Sequence, residues 1–197
     1  MDNTVGSLTQ QQISLIYGCI LGDGYMRIMP GRQNAFLEIN HSIKAKEYVD
    51  FKYAILKDIC KSPPQVRYID EKRTAYRFFT IQHKEMTRIH TLFYKDGRKR
   101  IPSITLDPLM LAIWFMDDGS RSRDADVYLN TQQFSMNDQK KLLALLRDMK
   151  LKARLNRDKK YYRIRFLKES IKRFNQIIDP HIIPSMRYKL SYDPVET

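Results

Sequence analysis

LIYGCILGDG, residues 15–24, and LMLAIWFMDDG, residues 109–119, decide how this chain folds. Both are apolar stretches that stop at an Asp-Gly pair. In the first, Ile13, Ile16, Tyr17 and Ile20 follow helical spacing, and Thr9 with Gln12 fits a capping box. These signals predict a helix from about Thr9 to Asp23, with Gly24 in the place of a C-cap glycine. In the second, Asp107 supplies an acidic N-cap and Pro108 a first-turn proline, and the helix runs on to Gly119.

The segments C-terminal to the two stretches are alike. After the first come two strands with a turn at Pro30-Gly31, the second strand being AFLEINHS, residues 35–42. An amphipathic helix comes next, with Tyr48, Phe51, Ile55 and Ile59 on one face. A break at SPPQ, residues 62–65, leads to strands near VRYID and YRFFTIQ, then to a helix from about Lys84 to Tyr94. After the second stretch come a strand at DVYLNTQQ, a helix opened by Ser135 and Asp138, strands at KARLNRD and YYRIRFL, and a helix from about Lys168 to Ile178. Short identities recur at matching places: YRFFTIQ with YRIRFLK, and KRIPSIT with HIIPSMR. The pattern predicts an α+β fold of two α-β-β-α-β-β-α repeats, residues 1–103 and 104–197, related by pseudo-twofold symmetry.

Charge narrows the function. The 197 residues carry 35 Lys and Arg against 22 acids, a net charge of +13, which suits a polyanionic partner and favours nucleic acid. Two cysteines, Cys19 and Cys60, make no disulfide scaffold and no CxxC pair, and both are expected as core thiols. The apolar runs are too short to span a bilayer, so no membrane partner is expected. MDNTVGSLTQ has no basic region and is expected to be neither a signal peptide nor a transit peptide.

The two Asp-Gly helices are the most apolar segments and the corresponding ones, so they are expected to pack on each other. Gly18 and Gly22, four apart, would let the backbones approach closely. Their C-terminal ends would then bring Asp23 and Asp118 together, with Asp117 as an extra acid. A helix C-terminus is the negative end of the dipole and prefers cations. Neighbouring carboxylates there also repel, and a divalent metal resolves the conflict. Oxygen-only donors suit Mg²⁺, with Mn²⁺ as a substitute, and the carbonyls of Gly22 and Asp117 would add oxygens. One Asp-Gly pair alone is ordinary turn chemistry. Two at matching places in a basic protein point to metal-assisted phosphodiester hydrolysis, one acid for each strand of a duplex.

IYGCILGDG, residues 16–24, and LAIWFMDDG, residues 111–119, resemble the two LAGLIDADG motifs of homing endonucleases, the first without the family's Leu-Ala opening. WFMDDG, YLNTQQF and IIPSMRYKL, in that order, resemble the single-chain, two-motif branch typified by the yeast mitochondrial large-rRNA intron endonuclease. The resemblance implies a monomer that grips a long double-stranded DNA target through two saddle-shaped antiparallel sheets. It implies Mg²⁺-dependent cutting of both strands and promotion of intron or gene mobility. By motif position the metal-binding acids fall on Asp23 and Asp118, and the basic residues of the two centres on Lys99 and Lys189. The chain's ends, Met-Asp and Glu-Thr, show no intein junction, so a free-standing enzyme is expected. The host compartment, whether mitochondrion, plastid or cytoplasm, is left open.

Strand alternation names the expected DNA face. It holds Glu38, Asn40, Arg67 and Arg77 in the first half, and Tyr128, Asn130, Gln132, Lys152, Arg154, Asn156, Arg163 and Arg165 in the second. Arg, Asn and Gln match guanine and adenine edges, while loop lysines suit phosphates. For a single arginine, a solvated strand face is as good a reading; the grouping favours DNA. His41, His83, His90 and His181 show no metal-ligand spacing, and Trp114 and Phe115 read as core. The alternative is a protein that binds without cutting: a maturase holding its own intron RNA, or a DNA-binding regulator. Loss of the acids would be its sign, and both acids are present.

Overall fold

A computed structural model describes residues 7–70, 73–122 and 126–190, so both ends of the chain lie outside the described residues. The chain divides into two compact units, one ending at Leu92 and the other beginning at Phe93.

In the first unit, α1 (Gln10–Leu21) opens with the predicted capping box: Thr9 accepts from Gln12 N–H, and Gln12 accepts from Thr9 N–H. The helix stops two residues before the predicted end, with Gly22 as its C-cap. Gly24 is therefore not the cap. Its N–H donates to the Cys19 carbonyl at 2.7 Å, and a Cβ at Gly24 would lie 2.7 Å from that oxygen. The glycine is required by close approach. The chain continues through β1 (Tyr25–Ile28), β2 (Ala35–Ser42), α2 (Lys46–Leu56), β3 (Gln65–Asp70), β4 (Arg73–Phe79) and α3 (Lys84–Phe93). The four strands form an open antiparallel sheet in the order β1-β2-β4-β3. One face, with Leu37, Ile39, Tyr76 and Phe78, is buried, and Tyr76 donates from its hydroxyl to Asp50 of α2. The face of α2 differs from the predicted one. Tyr48, Val49, Lys52 and Leu56 are buried, while Phe51 and Ile55 are only half-buried.

The second unit begins with a small ribbon that sequence pattern does not predict. β5 (Tyr94–Lys95) pairs with β6 (Arg98–Lys99) around Asp96-Gly97, both at positive φ (51° and 70°), as a tight hairpin turn requires. Next come α4 (Pro108–Asp118), β7 (Gly119–Ser122), β8 (Asp126–Leu129), α5 (Met136–Asp148), β9 (Ala153–Asp158), β10 (Tyr161–Phe166) and α6 (Lys168–Ile178). Asp107 caps α4 by accepting from Met110 N–H. The second open sheet runs β7-β8-β10-β9, the same order as the first. Each unit thus carries the predicted α-β-β-α-β-β-α series. β7 is not predicted because GSRS has no apolar alternation; only its ladder with β8 defines it. Trp114, Phe115, Phe166 and Phe174 are core, with Phe115 edge-on to Phe174 at 5.1 Å. Two lysines sit at positive φ: Lys150 (60°), just past α5, and Lys159 (54°), between β9 and β10.

Cys19 is buried as expected. Cys60 is only half-buried, and burial pushes its thiol up to about 12. Among the described residues, no helix is long and apolar enough to cross a membrane.

Candidate catalytic acids and nucleic-acid interface

Asp23 lies just past the C-cap of α1, between two glycines, with its side chain 52% exposed. No basic residue occupies the last turn of α1. The side chain facing Asp23 is His41, near the end of β2, whose Nδ1 stands 4.0 Å from Asp23 Oδ2. The other ring nitrogen, Nε2, meets the Lys52 ammonium at 3.1 Å. Lys52 is fully buried on α2 and lies over the Tyr48 ring, 4.1 Å from its centroid. Sequence spacing points to none of the histidines, and it singles out neither His41 nor Lys52.

Asp117 and Asp118 are the last residues of α4. Gly119 comes next, where a Cβ would lie 2.1 Å from the Phe115 ring and 2.3 Å from the Phe115 carbonyl oxygen. The Asp118 carbonyl accepts from Asn130 N–H at 3.0 Å, and its carboxylate accepts from Gln133 Nε2 at 3.3 Å. Lys189 Nζ donates to the carbonyls of Met116 (2.6 Å) and Asp117 (3.3 Å). That ammonium neutralises the negative end of α4 beside the acids. Arg121 holds the segment behind it by donating to the Leu190 carbonyl at 3.2 Å. Lys99 lies on β6, opposite Tyr94, in the second compact unit.

Every residue named for the DNA face of β2, β3 and β4 points away from the buried side of the first sheet. Asn40 is paired with Arg77, and Arg67 with Ala75. Glu38 sits centrally: Arg27 Nη2 reaches it at 3.1 Å and Arg77 Nη1 at 3.9 Å. Each guanidinium also lies over a ring, Arg27 on Phe36 and Arg77 on Phe79. In the second sheet, Tyr128 is paired with Arg165, Arg165 with Arg154, and Arg163 with Asn156. Asp126 accepts from Arg165 Nη2 at 2.6 Å, and Arg163 lies 3.9 Å over the Tyr128 ring. β8 ends at Leu129 and β9 begins at Ala153, both shorter than predicted, so Asn130, Gln132 and Lys152 lie just outside the strands: Asn130 donates to Ser120, Gln132 to Asp158, and Lys152 pairs with Glu169. Arg27 and Asp126 join this face without having been named from sequence; a period-2 count along β1 and β8 would find them.

Hard oxygen donors at the end of α4 and just past α1 fit a divalent cation of the magnesium type. The open sheet faces, rich in Arg and Asn held by neighbouring acids and rings, fit an extended polyanion whose base edges are to be distinguished.

Comparison with known proteins identifies a family. Residues 13–174 match the family described as the LAGLIDADG DNA endonuclease family. The chain is similar to the cytochrome b mRNA maturase bI2 of Debaryomyces hansenii, 27% identical over 93% of this chain and 74% of that protein. It is similar to the DNA endonuclease I-ChuI of Chlamydomonas applanata, 28% identical over 94% of this chain and 96% of that one. Among solved structures, the homing endonuclease I-WcaI bound to its DNA recognition sequence has a TM-score of 0.87 at 23% identity, covering 95% of this chain and 89% of that one.

Proposed function

The chain belongs to the LAGLIDADG DNA endonuclease family, and on that premise we propose that it is a homing endonuclease that breaks both strands of a long double-stranded DNA target. It would act as a monomer of two repeats, divided near residues 103 and 104, and promote the mobility of an intron or gene. The observation that carries this reading is the twice-kept acid. Asp23 and Asp118 each stand beside a glycine that nothing larger can replace without a clash, so backbone and carboxylate are specified together.

Magnesium, or manganese in its place, would be held by Asp23 and Asp118, with carbonyl oxygens of Gly22 and Asp117. Bound there, it supplies Lewis-acid stabilisation of developing charge on a phosphodiester. The residues supply the rest. Each acid serves one strand. Lys189 and Lys99 neutralise charge near the two centres. The residues of the DNA face, Glu38, Asn40, Arg67, Arg77, Tyr128, Asn130, Gln132, Lys152, Arg154, Asn156, Arg163 and Arg165, read bases and hold phosphates.

A maturase-like role toward its own intron RNA is the second reading, favoured by the similar protein named a cytochrome b mRNA maturase. It needs no cutting acids, whereas both are kept. Selection of cleaved duplexes from a randomised library, with Mg²⁺, would give the target. Asp23→Asn and Asp118→Asn should each abolish double-strand breaks on that target while binding changes little. Wild-type levels of breakage in both variants would sink the proposal.

A further inference from the structure

The two acids are not held alike, and the difference lies in side-chain geometry inside each unit. In the first unit the group facing Asp23 is an imidazole at 4.0 Å. In the second, the carboxylate of Asp118 accepts from the Gln133 amide at 3.3 Å. Strand register aligns the two halves as far as Leu129, the end of β8, and residue count carries the alignment two positions further. Tyr25, two past Asp23, pairs with Glu38; Ser120, two past Asp118, pairs with Tyr128. Counting on from these pairs, Asn40 corresponds to Asn130, and His41 to Thr131. Thr131 is fully buried and hydrogen-bonded to Gln139 at 3.0 Å. No imidazole stands at its place.

His41 is fixed from behind. It shares the buried face of β2 with Leu37 and Ile39, and its side chain is only 13% exposed. Lys52, fully buried, presents its Nζ to Nε2 at 3.1 Å. An ammonium has three donors and no acceptor, so Nε2 must accept and the ring proton sits on Nδ1. The Tyr48 ring lies under Nζ, 4.1 Å from its centroid. Nδ1–H is the atom turned toward Asp23 Oδ2. The gap exceeds a direct hydrogen bond, and the Asp23 side chain is 52% exposed.

Resting on the endonuclease reading above, we propose that His41, with its tautomer set by the buried Lys52, is a positioning residue for the Asp23 carboxylate and so governs the cutting of one DNA strand only. Its role parallels that of an outer-shell partner that orients a ligand carboxylate. Gln133 has the corresponding task for Asp118.

The test is strand-resolved cleavage of an end-labelled duplex carrying the selected target, with Mg²⁺. Asp23→Asn defines the strand served by the first acid, as the one it slows more. His41→Leu should slow cutting of that strand by at least about 10-fold and the other by less than about 2-fold, with DNA binding within about 3-fold, so nicked product accumulates. His41→Asn keeps an N–H donor near the Nδ1 position and should restore a large part of the loss. Lys52→Met leaves Asp23 and His41 themselves unchanged and removes only the group behind the ring, yet should give the same one-strand defect. Equal slowing of both strands by His41→Leu, no slowing, or no rescue by His41→Asn overturns the assignment and leaves the endonuclease reading intact. A wild-type chain that cuts neither strand overturns both.

Discussion

At the scale of the residue, the sequence shows the acids and hides their supports. Asp23 and Asp118 are legible because each is tied to a glycine at the end of an apolar run. The glycines themselves act through space: a Cβ on Gly119 would lie 2.1 Å from the Phe115 ring, in a core where that ring packs on Phe174. Gly119→Ala should therefore destabilise the protein by about 2 kcal/mol, the usual scale of overpacking, seen as a lower urea midpoint with an unchanged slope. An unchanged midpoint would mean that the Phe115 ring can move aside. His41 and Lys52 are illegible for a different reason. His41 carries no motif spacing, and Lys52, four residues past Tyr48 at the edge of the predicted apolar face of α2, reads by residue type as a side chain that reaches out to solvent. The helix instead buries Lys52 against a ring and an imidazole, contacts that helical periodicity does not register.

At the scale of the element, α4, α6 and the capped start of α1 are readable almost to the residue, because caps and periodicity agree there. β7 and the β5–β6 ribbon escape, being defined by pairing and a two-residue turn. One element junction has a measurable consequence. Asp138, in the first turn of α5, accepts from Ser135 Oγ at 2.7 Å and from Ile101 N–H at 3.1 Å, while Lys141 donates to it and to the Ile101 carbonyl. The clamp fixes the backbone just beyond Lys99. Burial pushes the Asp138 carboxyl up, but the hydrogen bonds from Ser135, Ile101 and Lys141 outweigh it and hold the group below its ordinary value. A carboxylate with a depressed folded value stabilises the fold fully above the unfolded value, about 3.9, and loses that contribution as pH falls through the folded one. Asp138→Ala should cost about 2 kcal/mol near neutral pH by leaving the Ile101 N–H unpaired. The gap to wild type should narrow on acidification, as followed by denaturant melts across pH; a gap independent of pH would remove the charge from the account.

At the scale of the whole molecule, charge and duplication set the behaviour. A net charge of +13 on 197 residues, with open sheet faces lined by arginine, predicts binding governed by counterion release. Affinity for a duplex containing the selected target should fall by about 10³-fold or more between about 50 and 200 mM salt, measured by titration at fixed Mg²⁺. A flat response would show that the arginines on the sheets stay tied to Glu38 and Asp126 and do not meet phosphates. Duplication is legible because identities such as KRIPSIT and HIIPSMR fall at matching places. It also carries the first sheet's order over to the second. It cannot show that the two acids have unlike neighbours, since divergence after duplication leaves the fold's outline untouched.

Lys150 and Lys159 occupy left-handed backbone that glycine or asparagine would adopt with less strain, at a cost to the fold of about 1 kcal/mol each. If these two turns meet DNA phosphates, the strained lysines trade backbone ease for positive charge at the contact. Lys159→Gly should then yield a chain that melts later and retains its target less well in competition with bulk DNA. Joint gains in both properties would show that the lysine is there by drift alone.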